Sequence, residues 1–510
     1  MNNNIETRSE ATFTDILIVG AGFGGLGMGI QLKRRGEDAF VILERADDVG
    51  GTWRDNHYPG VACDVPSHLY SFSFRTNPNW SHVFSPGGEI QQYLRDCARE
   101  EGLLPHLRLG TTMLDARWDE AQQRWSVQTS RGLFTCRILI ACPGHLADEH
   151  LPRIEGLSGF AGDLFHSARW NHGVPLQGKR IGVVGSGASA IQIVPELARL
   201  ASSMVVFQRS APYLIPRANR SYTAAEKRLF ARDPSLMNKL RADLFWAGET
   251  NFAQRRNVPR FVREAKDMAL SHLHDQVADP ALRAKLTPDY EIGCKRVLIS
   301  NDYYPALTRD NVQLEASALA RVEGNTAISA DGRRYELDVL VCATGFEATR
   351  PPFAKAIHGR QGISLDAHWD KGMQGLDSIA VHGFPNLFII NGPNTGLGHN
   401  SVVYIIEAQV DYILDALEHA DRHHVTVLEA DATAQAQYME ALDARAEGTV
   451  WLAGGCKSWY VDPRSHRLTL VWPDYAYAFR EANGTFHPEA YVQVQASMQA
   501  PAAVAPAAAV

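Results

Sequence analysis

No run of apolar residues in this chain approaches the roughly 18 needed to cross a bilayer. The opening stretch, MNNNIETRSEATFT, holds no apolar signal core. There is no basic excess either: Lys and Arg number 50 against 57 Asp and Glu, a net charge of -7. Neither nucleic acid nor an anionic membrane is therefore an expected partner, and no obligatory protein partner is evident. Cysteine is sparse. The seven residues Cys63, Cys97, Cys136, Cys142, Cys294, Cys342 and Cys456 form no CxxC pair and are odd in number, so neither a metal site nor a disulfide framework is expected. These absences predict a soluble, cytoplasmic protein with reduced thiols and small-molecule ligands. Its 510 residues exceed one core and predict two or three domains.

What is present begins with a glycine turn. Asp15 to Val19 (DILIV) reads as a buried strand that enters Gly20-Ala21-Gly22-Phe23-Gly24-Gly25 and then a helix through Leu32. Gly20 permits the turn, Gly22 lets backbone approach a pyrophosphate at the helix N-terminus, and Gly25 lets helix pack on strand. A second strand, Ala39 to Leu43, ends in Glu44, about twenty residues on, where a carboxylate accepts ribose hydroxyls. The other reading of Glu44 is a solvated strand end. Gly51, with Thr52 and Trp53 after it, belongs to a second glycine pair that can pass close to the same cofactor. From Leu107 to Gly144 the alternation predicts a small antiparallel meander and then a buried strand, Ile138 to Ala141, returning to the first sheet.

The pattern recurs. Lys179 to Val184 is a second strand leading into Gly185-Ser186-Gly187-Ala188-Ser189-Ala190, in which Ala190 takes the third glycine's place, and a helix through Leu200. The following strand ends in Gln208-Arg209-Ser210 in place of an acid, and a guanidinium there suits a 2′-phosphate, so NADP is favoured over NAD. Two dinucleotide sites imply electron transfer between cofactors, and without a reactive cysteine pair oxygen is the expected acceptor. Phe160 to Asn171, FAGDLFHSARWN, reads as a connecting stretch between the two folds. From about Ser221 to Tyr290 the pattern turns helical, with Phe230, Phe245, Trp246, Phe252 and Phe261 expected in a core. Lys295-Arg296, read without further context, is an ordinary exposed pair.

GAGFGG, then Glu44, then GGTW, with Tyr58-Pro59-Gly60 and Cys63 to Tyr70, resembles the flavoprotein monooxygenases that carry two dinucleotide folds. Phe160-x-Gly162-x-x-x-His166-x-x-x-Trp170 resembles the fingerprint of type I Baeyer-Villiger monooxygenases, of the class B flavoprotein monooxygenase family, and the likeness runs from about Asp15 to Arg480. It implies an α/β fold with two Rossmann-like dinucleotide-binding domains, one for FAD and one for NADP, and a helical insertion in the NADP domain. The implied layout is an FAD domain over 1–150 and 385–498, an NADP domain over 151–384 with its insertion at about 217–292, and a disordered tail at 499–510.

The resemblance also implies roles. FAD and NADPH are the cofactors, with a ketone and O2 as substrates and an ester or lactone as product through a flavin C4a-peroxide. Lys295 helps hold the 2′-phosphate. Arg296 enters the active site as the fixed positive charge, and Asp64, otherwise a turn or cap residue, orients and balances it. His166 is associated with coupling the domains during turnover, and Trp459 in Lys457-Ser458-Trp459-Tyr460 with the nicotinamide cofactor. His399, in the turn after Leu387 to Gly392, is expected to be scaffold. The fingerprint usually ends in Pro or Asp, and here it ends in Asn171, which points to an open-chain aliphatic or aryl ketone. The alternatives are a flavin-containing N- or S-monooxygenase, in which the Arg296 and Asp64 pair is unnecessary, and a redox sensor without turnover.

Overall fold

The strand Thr12–Val19 lies inside an eight-stranded sheet because Ile16, Leu17 and Ile18 are apolar on both faces and fully covered. It pairs in parallel with Phe40–Leu43 on one side and Gly132–Ala141 on the other. Met113–Asp119, Arg124–Thr129 and Gly132–Ala141 form the expected antiparallel meander. Leu387–Ile389 comes back from the far end of the chain to pair with the end of Gly132–Ala141, placing Ile389 opposite Ala141. Ile357–His358 pairs likewise with Met113–Asp119, so the first sheet is completed by two distant segments. The structure, a computed structural model, describes residues 11–496, so the expected tail at 499–510 lies outside the described residues.

A second, five-stranded parallel sheet has the order Val312–Glu315, Ser203–Phe207, Arg180–Val184, Val339–Cys342, Asp163–His166. The reading of Phe160 to Asn171 as a connecting stretch is corrected here. Its centre is the edge strand of the second sheet, with His166 opposite Cys342. Gly162 allows the approach, since a Cβ on it would lie 2.3 Å from the Asp338 carbonyl oxygen. Trp170 is buried edge-on to Phe165, ring centroids 5.0 Å apart.

The helical insertion comprises Ala224–Arg232, Pro234–Thr250, Phe252–Arg255, Pro259–Gln276 and Pro280–Leu286. Its starts are written locally: Thr223 and Glu226 form a capping box, and Asp233 and Asp279 cap helices that begin with proline. Phe230, Phe245 and Phe252 are buried as expected, but Trp246 is 57% and Phe261 39% exposed. Adjacent helical positions such as 245 and 246 point about 100° apart, so both cannot face one core.

The expectation of reduced, unpaired thiols is also corrected. Cys294 and Cys456 form a disulfide across 162 residues of sequence. No local spacing announces it, because the two segments meet only when the insertion folds against the C-terminal part of the chain.

Candidate active site

A cleft of about 960 Å3 is lined by the second glycine turn, Gly185 to Ser189, and by Thr52 and Trp53, which follow directly on the Gly50-Gly51 pair that packs against the first turn. In the first, Gly20 has φ +106°, and a Cβ there would lie 2.6 Å from the Cys142 carbonyl oxygen. A Cβ on Gly25 would lie 1.8 Å from the Gly20 carbonyl oxygen, so only glycine lets this helix start where it does. A Cβ on Gly51 would lie 3.2 Å from the Gly22 Cα. The two loops therefore meet backbone to backbone at the mouth of the helix Phe23–Arg34. Glu44 is buried, not solvated: its carboxylate accepts from the Ala21 N–H (2.9 Å) and the Ala46 N–H (3.0 Å) and pairs with Arg54 (2.8 Å). Thr52 and Trp53 line the cleft, and Trp53 Nε1 donates to the Tyr70 hydroxyl at 3.3 Å.

In the second turn Gly185 has φ +118° and packs on Ala343, whereas nothing lies within 4 Å of a Cβ built on Gly187. That bare backbone opens into the cleft beside Ser189 and the helix Ala190–Ala198, whose first residue, Ala190, is buried. Arg209 and Lys295 converge at the same end. The Lys295 ammonium donates to Ser210 Oγ at 2.5 Å and lies 4.6 Å from the centre of the Tyr290 ring. Burial, then the neighbouring Arg209 charge, lowers the Lys295 pKa from its ordinary value. Such a pair of cations waits for an anion. Gln208 is corrected: its side chain is buried and donates to the Lys285 carbonyl at 2.9 Å, so the strand-end alternation turns it away from the cleft and leaves Arg209 facing it.

Asp64 and Arg296 meet in the cleft. Arg296 Nε and Nη2 donate to the two Asp64 carboxylate oxygens at 2.6 and 2.9 Å, and Nη1 donates to the Leu397 carbonyl at 3.2 Å. Their side chains keep 29% and 30% exposure. The Asp64 charge, opposed by burial, raises the Arg296 pKa further. Burial acts to raise the Asp64 carboxyl, but the charge and hydrogen bonds of Arg296 outweigh it and hold the group below its usual range. The guanidinium is thus a permanent cation with a permanent counter-ion.

The structure does not bring His166 to this pair. It is buried outside the cleft lining, its Nδ1 accepts from the Ala168 N–H at 3.1 Å, and its ring stands edge-on to Phe346 at 5.8 Å. Burial lowers its pKa to about 4. It buttresses the Gly345-Phe346 turn, which does line the cleft. Trp459 lines the cleft, is 44% exposed and leans on Tyr460 with centroids 4.6 Å apart.

Two groups escaped the sequence. Gln192, on the second glycine-turn helix, accepts from the Tyr58 hydroxyl at 3.0 Å and donates to the Ala62 carbonyl at 2.9 Å, which seats the loop carrying Asp64. Glu249, on the insertion, is buried and accepts from His399 Nε2 (3.1 Å), Asn400 Nδ2 (2.7 Å) and the Ala476 and Tyr477 N–H groups (3.3 and 3.2 Å). His399 is scaffold, as expected. A helical carboxylate such as Glu249 carries no local signal, since solvated glutamates look the same.

Two dinucleotide turns, one lining a cleft with a fixed cation and the other reaching that cleft through the Gly51-Thr52-Trp53 segment, define a two-cofactor oxidoreductase. A family model for flavin-binding monooxygenase-like proteins matches residues 14–361. The chain is 41% identical over 486 residues to a Baeyer-Villiger monooxygenase of Pseudomonas aeruginosa, covering 95% of this chain and 92% of that one. It is 43% identical over 467 residues to a Baeyer-Villiger monooxygenase of Streptomyces coelicolor, covering 91% and 90%. Among solved structures it resembles a cyclohexanone monooxygenase from Rhodococcus sp. Phi1 bound to NADP+ (TM-score 0.85, 26% identity, 96% of this chain and 100% of that one). It also resembles an oxidised steroid monooxygenase bound to NADP (TM-score 0.82, 28% identity, 95% and 100%). The chain belongs to the flavin-binding monooxygenase-like family, in its Baeyer-Villiger branch.

Proposed function

We propose that this protein oxidises an open-chain aliphatic or aryl ketone to an ester, with O2 as co-substrate, and that Arg296 and Asp64 carry the chemistry. It is an FAD- and NADPH-dependent monooxygenase of the Baeyer-Villiger type. Its residues fit both cofactors. Gly20 and Gly25 shape the turn and seat the helix, Gly22 and Gly51 bring the two loops together at the helix mouth where the FAD pyrophosphate approaches, and Glu44 stands at the adjoining strand end for the ribose. Gly185, Gly187 and Ser189 form the second cradle, and Arg209 with Lys295 supplies the paired cations that a 2′-phosphate needs. Held there, FAD would supply hydride acceptance from NADPH and electron transfer to oxygen, chemistry that no side chain supplies.

The single observation that carries this reading is the two-point Arg296 to Asp64 clasp in the shared cleft. A guanidinium locked in one orientation stabilises negative charge as it develops on a reacting oxygen, without reorganisation. Asp64 keeps the guanidinium aimed, and Gln192 seats the Asp64 loop on the NADP-side helix. His166 acts through the Gly345-Phe346 turn and couples the second fold to the cleft, and Trp459 covers the nicotinamide end.

The preference for open-chain ketones rests on Asn171 standing where the fingerprint usually has Pro or Asp. No helix among the described residues is long and apolar enough to cross a membrane, and we place the enzyme in the cytoplasm. The test is a panel of linear, aryl and cyclic ketones incubated with NADPH and air, with products identified by mass. Esters from the linear and aryl members support the reading. Oxidation of amines or sulfides with every ketone untouched would overturn it in favour of an N- or S-monooxygenase.

A further inference from the structure

Cys294 immediately precedes Lys295 and Arg296, and Cys456 immediately precedes the strap Lys457-Ser458-Trp459-Tyr460. Lys295, Arg296, Lys457, Trp459 and Tyr460 all line the cleft. The disulfide therefore staples the strap to the segment that bears the cation pair. The two segments are pressed together beside it: the Glu291 N–H donates to the Gly454 carbonyl at 2.9 Å, and a Cβ on Gly454 would come within 2.8 Å of the Cys294 Cβ. The far end of the strap is anchored by Tyr460, which is buried beside Trp451 and whose carbonyl accepts from the Thr469 N–H at 3.3 Å, whereas residues 457–459 between it and Cys456 are loosely held. Lys457 and Trp459 are exposed, and the Ser458 hydroxyl and carbonyl bond only within the strap and to Val461.

We propose that Cys294 and Cys456 form a reversible thiol-disulfide site that controls how firmly the 457–460 strap is held over the NADP end of the cleft, and with it the affinity for NADPH. The proposal rests on the assignment of that end of the cleft to NADP. The five other cysteines are unsuited to exchange, because burial raises all their thiols above the ordinary value. In the pair, Cys294 is fully buried and Cys456 half-buried, so the Cys456 sulfur is the one a small thiolate reaches.

Reduction proceeds by exchange. A low-molecular-weight thiolate attacks the Cys456 sulfur, the S–S bond breaks, and Cys294 leaves as a thiolate and takes a proton. A second thiolate attacks the mixed disulfide and releases Cys456, which is protonated in turn. Two electrons pass from two small thiols to the protein, and the small thiols leave as their disulfide. Oxidation is the reverse, driven by that disulfide. The reduced strap must be ordered anew each time NADPH binds, a cost the staple removes in advance.

The test uses the full-length, FAD-loaded enzyme. Peptide mapping without reductant is expected to find Cys294 and Cys456 in one cross-linked peptide. Full reduction by a phosphine is expected to raise the NADP+ Kd and the NADPH KM about three- to tenfold, as expected for losing pre-organisation of one loop, and to speed tryptic cleavage after Lys457. Cys456→Ser, or Cys294→Ser should the first variant fold poorly, is expected to match the reduced enzyme with or without phosphine. Absence of the cross-linked peptide even after equilibration with oxidised glutathione would overturn the proposal. So would verified reduction that leaves NADP+ binding and cleavage unchanged. Redox-dependent NADP+ binding in an enzyme that oxidises no ketone would keep the staple and refute the function proposed above.

Discussion

Arg296 and Asp64 lie 232 residues apart in sequence and are joined by two hydrogen bonds of 2.6 and 2.9 Å, both donated by Arg296 to the Asp64 carboxylate, which stands on the loop after Gly50-Gly51. The pair spans the cleft in which both cofactors must meet, so its geometry reports whether the two folds are set correctly against each other.

Arg296→Ala removes the fixed charge and leaves Asp64 with no cation in contact. Ketone oxidation is expected to fall about 100-fold or more, the usual loss for one preorganised donor at a developing oxyanion. The FAD site is remote from the substitution in sequence and should stay filled. Product analysis together with the flavin absorbance of the purified variant checks this. Full flavin content with undiminished ester formation would remove Arg296 from the mechanism.

Because Arg296 holds the Asp64 carboxyl below its usual range, the ion pair is present throughout neutral pH. Asp64 binds fewer protons folded than unfolded, so its stabilisation is complete above about pH 4. It is lost as pH falls through the lower folded value. Thermal unfolding between pH 3 and 7 should show a steeper acid decline in the native protein than in Asp64→Asn.

His166 has a folded pKa of about 4, lowered first by burial. It therefore stays neutral above pH 6, and the kcat profile from pH 6 to 9 should carry no inflection from it. The sign for stability follows: its contribution is whole above about 6.5 and declines as pH drops towards 4, because the unfolded chain protonates first. His166→Gln should flatten that part of the stability curve. An unchanged curve would show that His166 is not buried as described.

Arg209→Ala and Lys295→Ala should each raise the NADPH KM about 10- to 100-fold, the equivalent of one charge-assisted hydrogen bond. The NADH KM should change little. Steady-state assays with both nucleotides decide it, and equal losses for NADPH and NADH would mean that these cations do not read the 2′-phosphate.

Glu249→Ala leaves His399, Asn400 and two backbone N–H groups without their acceptor. A loss of about 2 to 5 kcal/mol is expected for so many buried donors. Urea unfolding measures it, and a loss below 1 kcal/mol would show that water replaces the carboxylate.

Much of the architecture was legible because it is local. GAGFGG and GSGASA announce their turns, since only glycine fits at 25 and a small, fully buried alanine takes the matching place at 190. The insertion announces its helices through Thr223, Asp233 and Asp279 caps. Phe160 to Asn171 reads as a connection in the sequence because a four-residue edge strand gives too short a period to distinguish from loop. Gln208 looks like a ligand contact in the sequence because two adjacent polar residues at a strand end point opposite ways, and only the fold decides which one faces the cleft.

The sequence by itself determined the two dinucleotide folds and the family, because glycine spacing, strand hydrophobicity and helix caps act over a few residues. Tertiary structure alone decided that Asp64 meets Arg296, that Glu249 reaches under His399 and Asn400, that His166 supports a turn and does not line the cleft, and that Cys294 finds Cys456. Those contacts depend on how two sheets and one insertion are set against one another, and no stretch of chain encodes that relation locally.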